Sequence, residues 1–518
     1  MTTSLPQRFN FARHVLETNI ARADKPAYID DTTTLTYGQL EDRVRRFAAG
    51  LLAQGVRREE RILLVMQDTV DLPVAFLGAL LAGIVPVPLN TLLTVDDYAY
   101  MLGHSGAKLV VVSPSLLASI EQALLQLPAQ SRPPLAIAGA AEGASTPALS
   151  VAAMLATDPL PPTRYADTCA DEFAFWLYSS GSTGRPKGAV HCHASLYWTA
   201  ELYGKPVLGV REDDVVFSAA KLFFAYGLGN GLTFPLCAGA TTILMAERPT
   251  PQAVFQRLVT HRPTVFCGVP TLYVAMLAMD NAPAADQLRL RVCASAGEAL
   301  PREVGDRFQK RYGCEILDGL GSTEMLHIFI SNQAGSARYG SSGLAVPGYD
   351  VRLLDEDGAP VAPGEIGDLQ ARGPSMALLY WNNRAKSGAT FLGEWMRTGD
   401  KYSIDGDGYY IYAGRSDDML KVSGQYVSPI EIESVLMSHE CVSECAVVGK
   451  TDTDGLTKTA AYVVVANGYH AGEELAQTLK TFVKGRLTPH KYPRDIVFVA
   501  DLPKTATGKI QRFKLRAI

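Results

Sequence analysis

One short stretch constrains this chain more than any other. An apolar run, Phe173 to Leu177, passes straight into Tyr178-Ser179-Ser180-Gly181-Ser182-Thr183-Gly184-Arg185-Pro186-Lys187-Gly188. Three glycines, four Ser or Thr hydroxyls and two cations fall within these eleven residues. Such a loop can bend around a polyphosphate and turn backbone N–H groups, hydroxyls and positive charge toward it. It is not a Walker A loop, because Pro186 stands where that pattern requires its second glycine.

A chain of 518 residues exceeds what one core usually supports, so about two to four lobes are expected. With 47% hydrophobic and 19% charged residues, the composition is that of a soluble globular enzyme. A net charge of −5 and the lack of a long basic stripe give no electrostatic reason to expect nucleic acid. The eight cysteines are scattered without a CxxC pair, which suits reduced thiols in a cytoplasmic protein better than a disulfide or zinc framework. The N-terminus lacks a signal-peptide core, and Pro86 and Pro88 break the most apolar stretch, Leu72 to Leu89. It reads as a buried helix entering a strand, not a membrane span.

Apolar strands alternate with helical patterns through the first half, as in Arg61–Met66, Leu72–Ile84, Val85–Leu89 and Lys108–Val112. This rhythm predicts α/β layers with largely buried sheets. Residues 131–168, rich in Ala, Pro and Ser, read as a surface connection. From about 345 to 414, short strands with Gly and Asp turns predict a small β-rich subdomain. Beyond Gly414-Arg415-Ser416-Asp417-Asp418, Ser428-Pro429-Ile430-Glu431 carries the signals of a helix start. Strands near 445–448, 461–465 and 496–499 and a helix near 473–487 predict a compact α+β domain.

Three further motifs join the loop. In Asp318-Gly319-Leu320-Gly321-Ser322-Thr323-Glu324, the glycines let backbone approach a flat ring or a phosphate. Thr323 offers a hydroxyl there, and Glu324 a hard oxygen ligand for Mg²⁺ on a polyphosphate. Asp400 of Thr398-Gly399-Asp400 can accept both hydroxyls of a ribose, and Arg415 can donate to the same sugar or a phosphate. Near the C-terminus, Pro503-Lys504-Thr505-Ala506-Thr507-Gly508-Lys509 places a mobile point charge on a Gly/Thr loop. Each motif alone also suits a plain role as a turn or a solvated surface; all four in this order do not.

Together the motifs closely resemble the adenylate-forming superfamily of acyl-CoA synthetases, adenylation domains and luciferases, from about Phe11 to Arg512. The resemblance implies an N-terminal domain over residues 1–415 with two αβ-layered sheets plus a small β subdomain. A small mobile α+β domain would follow over 416–518. It implies a carboxylate attacking the α-phosphate of ATP with Mg²⁺, then a thiol, usually of coenzyme A, displacing AMP. Lys509 and Thr323 would meet the α-phosphate region, Glu324 would hold Mg²⁺, and Ser179 to Lys187 would cover the pyrophosphate. Gly297, Glu298, Asp318, Gly319 and Leu320 would line the adenine slot, and Asp400 and Arg415 would bind ribose. Rotation about a hinge at Asp417 would withdraw Lys509 and present Lys421 to Gly424, including Ser423, to the thiol tunnel.

The acyl-pocket position falls on Lys221-Leu222-Phe223-Phe224-Ala225-Tyr226-Gly227-Leu228-Gly229. Amino-acid-activating members carry an Asp here; Ala225 and Tyr226 would leave an ammonium unpaired. Tyr226 beside Phe224 implies a short, flat apolar slot, which disfavours long fatty acids. The run Asp318 to Phe329, with Leu320 in place of the usual Tyr, resembles benzoate–CoA ligases and their hydroxybenzoate relatives. In that subgroup Ala225, Tyr226, Gly227, Gly321, His327 and Ile328 would surround the ring. Lys421 would lie near the carboxylate, and Phe224 would gate the thiol tunnel. His327 alone reads equally as a structural histidine.

Benzoate and small ortho- or meta-substituted benzoates are the expected acids, with a para-hydroxyl poor unless His327 hydrogen-bonds it. A rival within the family is an aryl-acid adenylating enzyme loading a carrier-protein thiol, the carrier being a separate partner. A rival from another class is a non-catalytic nucleotide-binding paralogue, against which intact Lys509, Thr323 and Glu324 argue. Related synthetases are silenced by acetylation at the position of Lys509, which implies an acetyltransferase and a deacetylase as partners. A homodimer is common among relatives, but no motif encodes it.

Overall fold

The computed structural model describes residues 5–139, 148–181, 184–416, 419–422, 425–451, 457–488, 491–504 and 510–516. The N-terminal part is built on two layered sheets. The first has five parallel strands in the order Val85–Pro88, Arg61–Val65, Leu109–Val112, Leu135–Ile137 and Ala148–Ser150. Its central strands are continuous apolar runs such as LVVV, buried throughout, because helices cover the sheet. The helix Asp71–Leu81 is apolar on nearly every side and buried over ten consecutive residues from Leu72, which places it inside the core rather than at a surface.

The segment 131–168, read from sequence as a surface connection, instead contributes the last two strands of this sheet and the helix Val151–Leu155. Its prolines fall outside those strands, and Leu135, Ala136 and Ile137 are each buried, so a run too short to stand out still completes a sheet.

The second sheet has nine strands. Its middle is parallel, running Ile316–Gly321, Val292–Ser295, Val265–Gly268, Val215–Ser218, Thr241–Ile243 and Pro26–Ile29. Antiparallel strands finish both edges, Ile328–Ser331 and Leu344–Ala345 on one side and Thr34–Thr36 on the other. Pro26–Ile29 reaches this sheet from far upstream, so the two layers are interlocked. The hairpin Phe173–Gly181 and Gly184–Cys192 forms its own small sheet with Leu379–Tyr380. The described residues of the glycine-rich stretch therefore lie on the facing ends of two paired strands, with Tyr178 opposite Gly188 and Gly181 opposite Gly184.

An antiparallel sheet of Asp350–Leu354, Gly367–Arg372, Phe391–Leu392, Trp395–Ile404 and Tyr410–Arg415 makes the β-rich region. After residue 416 a separate core forms around Val427, Ile432, Leu436, Val447, Val463, Leu479 and Val483. Here Val442–Thr451, Thr457–Val465 and Asp495–Phe498 form a sheet, packed with helices Pro429–Met437 and Glu473–Lys484. Ser428 caps the first helix by accepting from the Glu431 N–H at 3.2 Å. Among the described residues, no helix is long and apolar enough to cross a membrane.

Candidate active site

The strand Ile316–Gly321 runs outward from the parallel sheet and ends in the turn that carries Thr323 and Glu324. Ser322 Oγ accepts from the Met325 N–H at 3.1 Å, and the Leu326 N–H reaches the Thr323 carbonyl at the same distance. Leu326 closes the turn at φ +66°, a left-handed conformation that a bulky residue adopts only under constraint. This reversal sends Glu324 toward one neighbour and His327 toward another.

Glu324 meets the phosphate-loop hairpin. Its Oε1 accepts from Ser179 Oγ at 3.1 Å and from Tyr380 Oη at 2.7 Å. Lys187, on the returning strand, holds its ammonium 4.7 Å over the Tyr380 ring. Burial lowers the Lys187 pKa, while the Glu324 carboxylate opposes that shift. Further along the same strand, His191 Nε2–H donates to the Thr323 carbonyl at 2.8 Å and its ring stacks on Phe175 at 5.2 Å. Burial pushes His191 down to about 4, so it is a neutral strut that ties the hairpin to the Thr323 turn. Tyr380 and His191 were missed from sequence. Neither lies in a glycine-rich motif, and their proximity to Glu324 and Thr323 exists only after folding.

Asp318 is buried on the same strand. Burial pushes its carboxyl up to about 8, the Leu300 N–H at 3.3 Å opposing. Gly297, exposed with φ +96°, and the half-buried Glu298 lie on the loop after the neighbouring strand Val292–Ser295. Leu320 is half-buried. Gly319 and Gly321 have a packing reason besides the one read in sequence. A Cβ on Gly319 would lie 2.8 Å from the Ile330 carbonyl, and one on Gly321 2.7 Å from that of His327. The neighbouring strand fills the space, so these glycines are required by packing within the chain itself.

Asp400 and Arg415 lie on adjacent strands in register. Arg415 Nη1 donates to Asp400 Oδ1 at 3.0 Å and to the Thr398 carbonyl at 3.3 Å.

On the other side of the turn, His327 is buried in an aromatic cage. Its ring lies 4.6 Å from Phe234, 5.1 Å from Tyr203 and 5.5 Å from Tyr226. Nε2–H donates to the Tyr226 carbonyl at 3.3 Å, and among the described residues Nδ1 has no hydrogen-bond partner. Burial pushes His327 down to about 3, so it is neutral with Nδ1 as an acceptor. Tyr226 belongs to the short helix Ala225–Leu228, which Phe224 precedes. Ala225 is buried, and a Cβ on Gly227 would overlap the Lys221 carbonyl at 2.0 Å. Ile328 is buried and begins the antiparallel strand after His327. This acyl segment is pinned from the first lobe, where the buried Asp68 accepts from the Leu222 N–H at 3.1 Å. Burial raises the Asp68 carboxyl to about 6, with Lys221 opposing. Tyr203, Phe234 and Asp68 also escaped the sequence reading, being distant in the chain and ordinary in composition.

Ser182, Thr183, Asp417, Ser423, Gly424 and Lys509 lie outside the described residues, as do the side chains of Ser180 and Lys421; Gly181 and Gly184 are backbone partners across the hairpin turn.

The family description "AMP-binding enzyme" matches residues 16–381, and "AMP-binding enzyme C-terminal domain" matches residues 431–509. A benzoate–CoA ligase of Thauera aromatica is 56% identical over 517 residues, covering 99% of this chain and 97% of that protein. A solved benzoate CoA ligase from Burkholderia xenovorans LB400 aligns at 60% identity and a TM-score of 0.91, over 98% of this chain and 100% of that one. The anthranilate CoA ligase AuaEII, solved with anthranoyl-AMP, aligns at 39% identity and a TM-score of 0.92, over 99% and 98% of the two chains.

Proposed function

We propose that this chain, which belongs to the AMP-binding enzyme family, joins benzoate to coenzyme A at the expense of ATP. In the first step a benzoate oxygen attacks the α-phosphorus, the bond to the β-phosphate bridge breaks, and pyrophosphate leaves. In the second, the thiol sulfur attacks the benzoyl carbonyl carbon. AMP departs with the bonding pair on its phosphate oxygen, and the thiol proton passes to solvent.

One observation carries this reading. The constrained turn at Leu326 directs Glu324 to the phosphate hairpin and His327 into an aromatic wall, three residues apart in the chain. A nucleotide's phosphates and a small flat acid would therefore meet beside Thr323. Lys187 and the hairpin N–H groups would neutralise pyrophosphate as charge builds on it, and Lys509 would do so at the α-phosphate. Asp400 and Arg415 would hold the ribose, and Asp318 with Gly297 and Glu298 the adenine. Tyr226, Phe224, Ala225 and Ile328 would exclude water from the ring.

Glu324, with hydroxyl neighbours and no cluster of three metal-ligating side chains among the described residues, suits Mg²⁺, which binds few carboxylates and takes its other ligands from phosphates and water. When bound, Mg²⁺ would withdraw charge from the polyphosphate. The separate core beyond residue 416 supports a rotating C-terminal domain, hinged near Asp417, that exchanges Lys509 for Lys421, Ser423 and Gly424 between the steps.

The test is pyrophosphate and AMP release with ATP, Mg²⁺ and a panel of acids, each with and without coenzyme A. The panel holds benzoate, 4-hydroxybenzoate, 2-aminobenzoate, cyclohexanecarboxylate, octanoate and phenylalanine. Fast CoA-dependent turnover of benzoate, with little for octanoate or phenylalanine, is expected. Pyrophosphate release that coenzyme A does not accelerate would point to a carrier-protein acceptor, and silence with every acid would end the enzymatic reading.

A further inference from the structure

The helix Val95–Ser105 has no part in the scheme above, yet two of its side chains hold the phosphate hairpin. Thr94 caps its start, accepting from the Asp97 N–H at 3.2 Å while Asp97 accepts from the Thr94 N–H at 3.3 Å. Gly106, left-handed at φ +59°, ends it. Tyr100 and His104 are four residues apart and so share one face. Their rings stack at 5.1 Å.

Each side chain grips a different strand. His104 Nδ1 shares a hydrogen bond of 2.8 Å with Tyr178 Oη, one residue before Ser179 on the outgoing strand. Tyr100 Oη donates to the Pro186 carbonyl at 3.2 Å on the returning strand, one residue before Lys187. The Arg185 guanidinium also lies 5.1 Å over the Tyr100 ring. Tyr100 and His104 are only half-buried, and these are directional polar contacts rather than core packing. They meet the hairpin on either side of its glycine-rich turn. The opposite restraint comes from Tyr380 and Glu324, which reach Lys187 and Ser179.

A turn that gathers donors around a polyanion repels its own cations and loses chain entropy when it orders. A clamp on both stems removes part of that cost before the ligand arrives. We propose that Tyr100 and His104 are positioning residues for the pyrophosphate end of ATP, holding both strands of the hairpin so that its donors converge. This rests on reading Ser179 to Lys187 as the phosphate cradle.

The test uses the full chain with Tyr100→Leu, His104→Leu, Tyr100→Phe and, as reference, Lys187→Met. Two rates are measured for each: benzoate-dependent exchange of pyrophosphate into ATP, and thioester formation from preformed benzoyl-adenylate and coenzyme A. Both leucine variants are expected to raise KM for ATP about tenfold, from loss of one hydrogen bond or ring contact. Thioester formation should stay within about twofold, since the adenylate has already lost pyrophosphate. Tyr100→Phe keeps the ring under Arg185 and should recover part of the loss. An unchanged KM for ATP, or equal losses in both half-reactions, would overturn the clamp. If a leucine variant does not fold, Tyr100→Phe and His104→Gln carry the same comparison. If Lys187→Met raises KM for ATP and the Tyr100 and His104 variants do not, the clamp alone fails. If Lys187→Met also leaves it unchanged, the cradle reading fails and the clamp with it.

Discussion

Asp400 and Arg415 face each other across an antiparallel ladder, with Arg415 Nη1 3.0 Å from Asp400 Oδ1. The preceding Gly399 is left-handed at φ +76°, and a Cβ there would lie 2.8 Å from Arg415 Nη2. The strand thus gives up a side chain to let the guanidinium lie alongside the carboxylate. Asp400→Asn keeps the shape but weakens both the ion pair and any bond to ribose hydroxyls. Its KM for ATP should rise about 10- to 100-fold, the usual effect of losing a charged hydrogen bond. Initial rates over a range of MgATP concentrations measure this; no change would remove Asp400 from the nucleotide site.

Tyr380 and Ser179 both donate to one oxygen of Glu324. Tyr380→Phe should leave the carboxylate less well oriented for a cation. The Mg²⁺ concentration giving half-maximal adenylation is expected to rise about 3- to 10-fold. Titration of Mg²⁺ at saturating benzoate reads this directly, and an unshifted midpoint would limit Tyr380 to packing.

Gly229 touches His327 so closely that a Cβ would lie 2.3 Å from its Cδ2. Gly229→Ala must therefore displace the imidazole into the aromatic cage. Benzoate turnover should fall at least about tenfold, chiefly through KM for the acid, with KM for ATP little changed. Tyr226→Ala acts in the opposite sense, opening the slot and shifting preference toward bulkier acids. An unaltered acid profile in both variants would remove this wall from the pocket.

Asp318 carries a defined pH signature. Its carboxyl rises from 3.8 to about 8 on burial, so between these values the folded state keeps a proton that the unfolded state releases. Its contribution to stability therefore declines as pH rises through that window. Asparagine cannot titrate. The melting temperature of Asp318→Asn minus that of the parent chain should grow from about pH 5 to about pH 8, other groups cancelling in the difference. A flat difference would refute the raised pKa.

Lys509 is expected to serve one half-reaction. Acetylation, or Lys509→Ala, removes its charge and should suppress adenylation by at least about 100-fold. Conversion of preformed benzoyl-adenylate to the thioester should be nearly untouched. Equal loss in both assays would contradict a lysine that is withdrawn between steps.

The chain's membership of its family and its α/β class were determined locally, by contiguous motifs whose glycines, hydroxyls and charges lie within a few residues of one another. Apolar runs such as Leu109–Val112 likewise announce buried strands without outside help. Tertiary structure alone decided what those motifs touch. Ser179 and Glu324, 145 positions apart, meet at 3.1 Å because the hairpin is held against the turn that carries Thr323 and Glu324. Tyr380, His191, Tyr203 and Asp68 gain their roles in the same way, and nothing in their own neighbourhoods marks them. Even Gly319 and Gly321 owe their identity to the strand beside them. Periodicity and turn chemistry are properties of neighbouring residues, whereas a site is made by side chains brought together from distant segments. That convergence is fixed only by how the sheets pack.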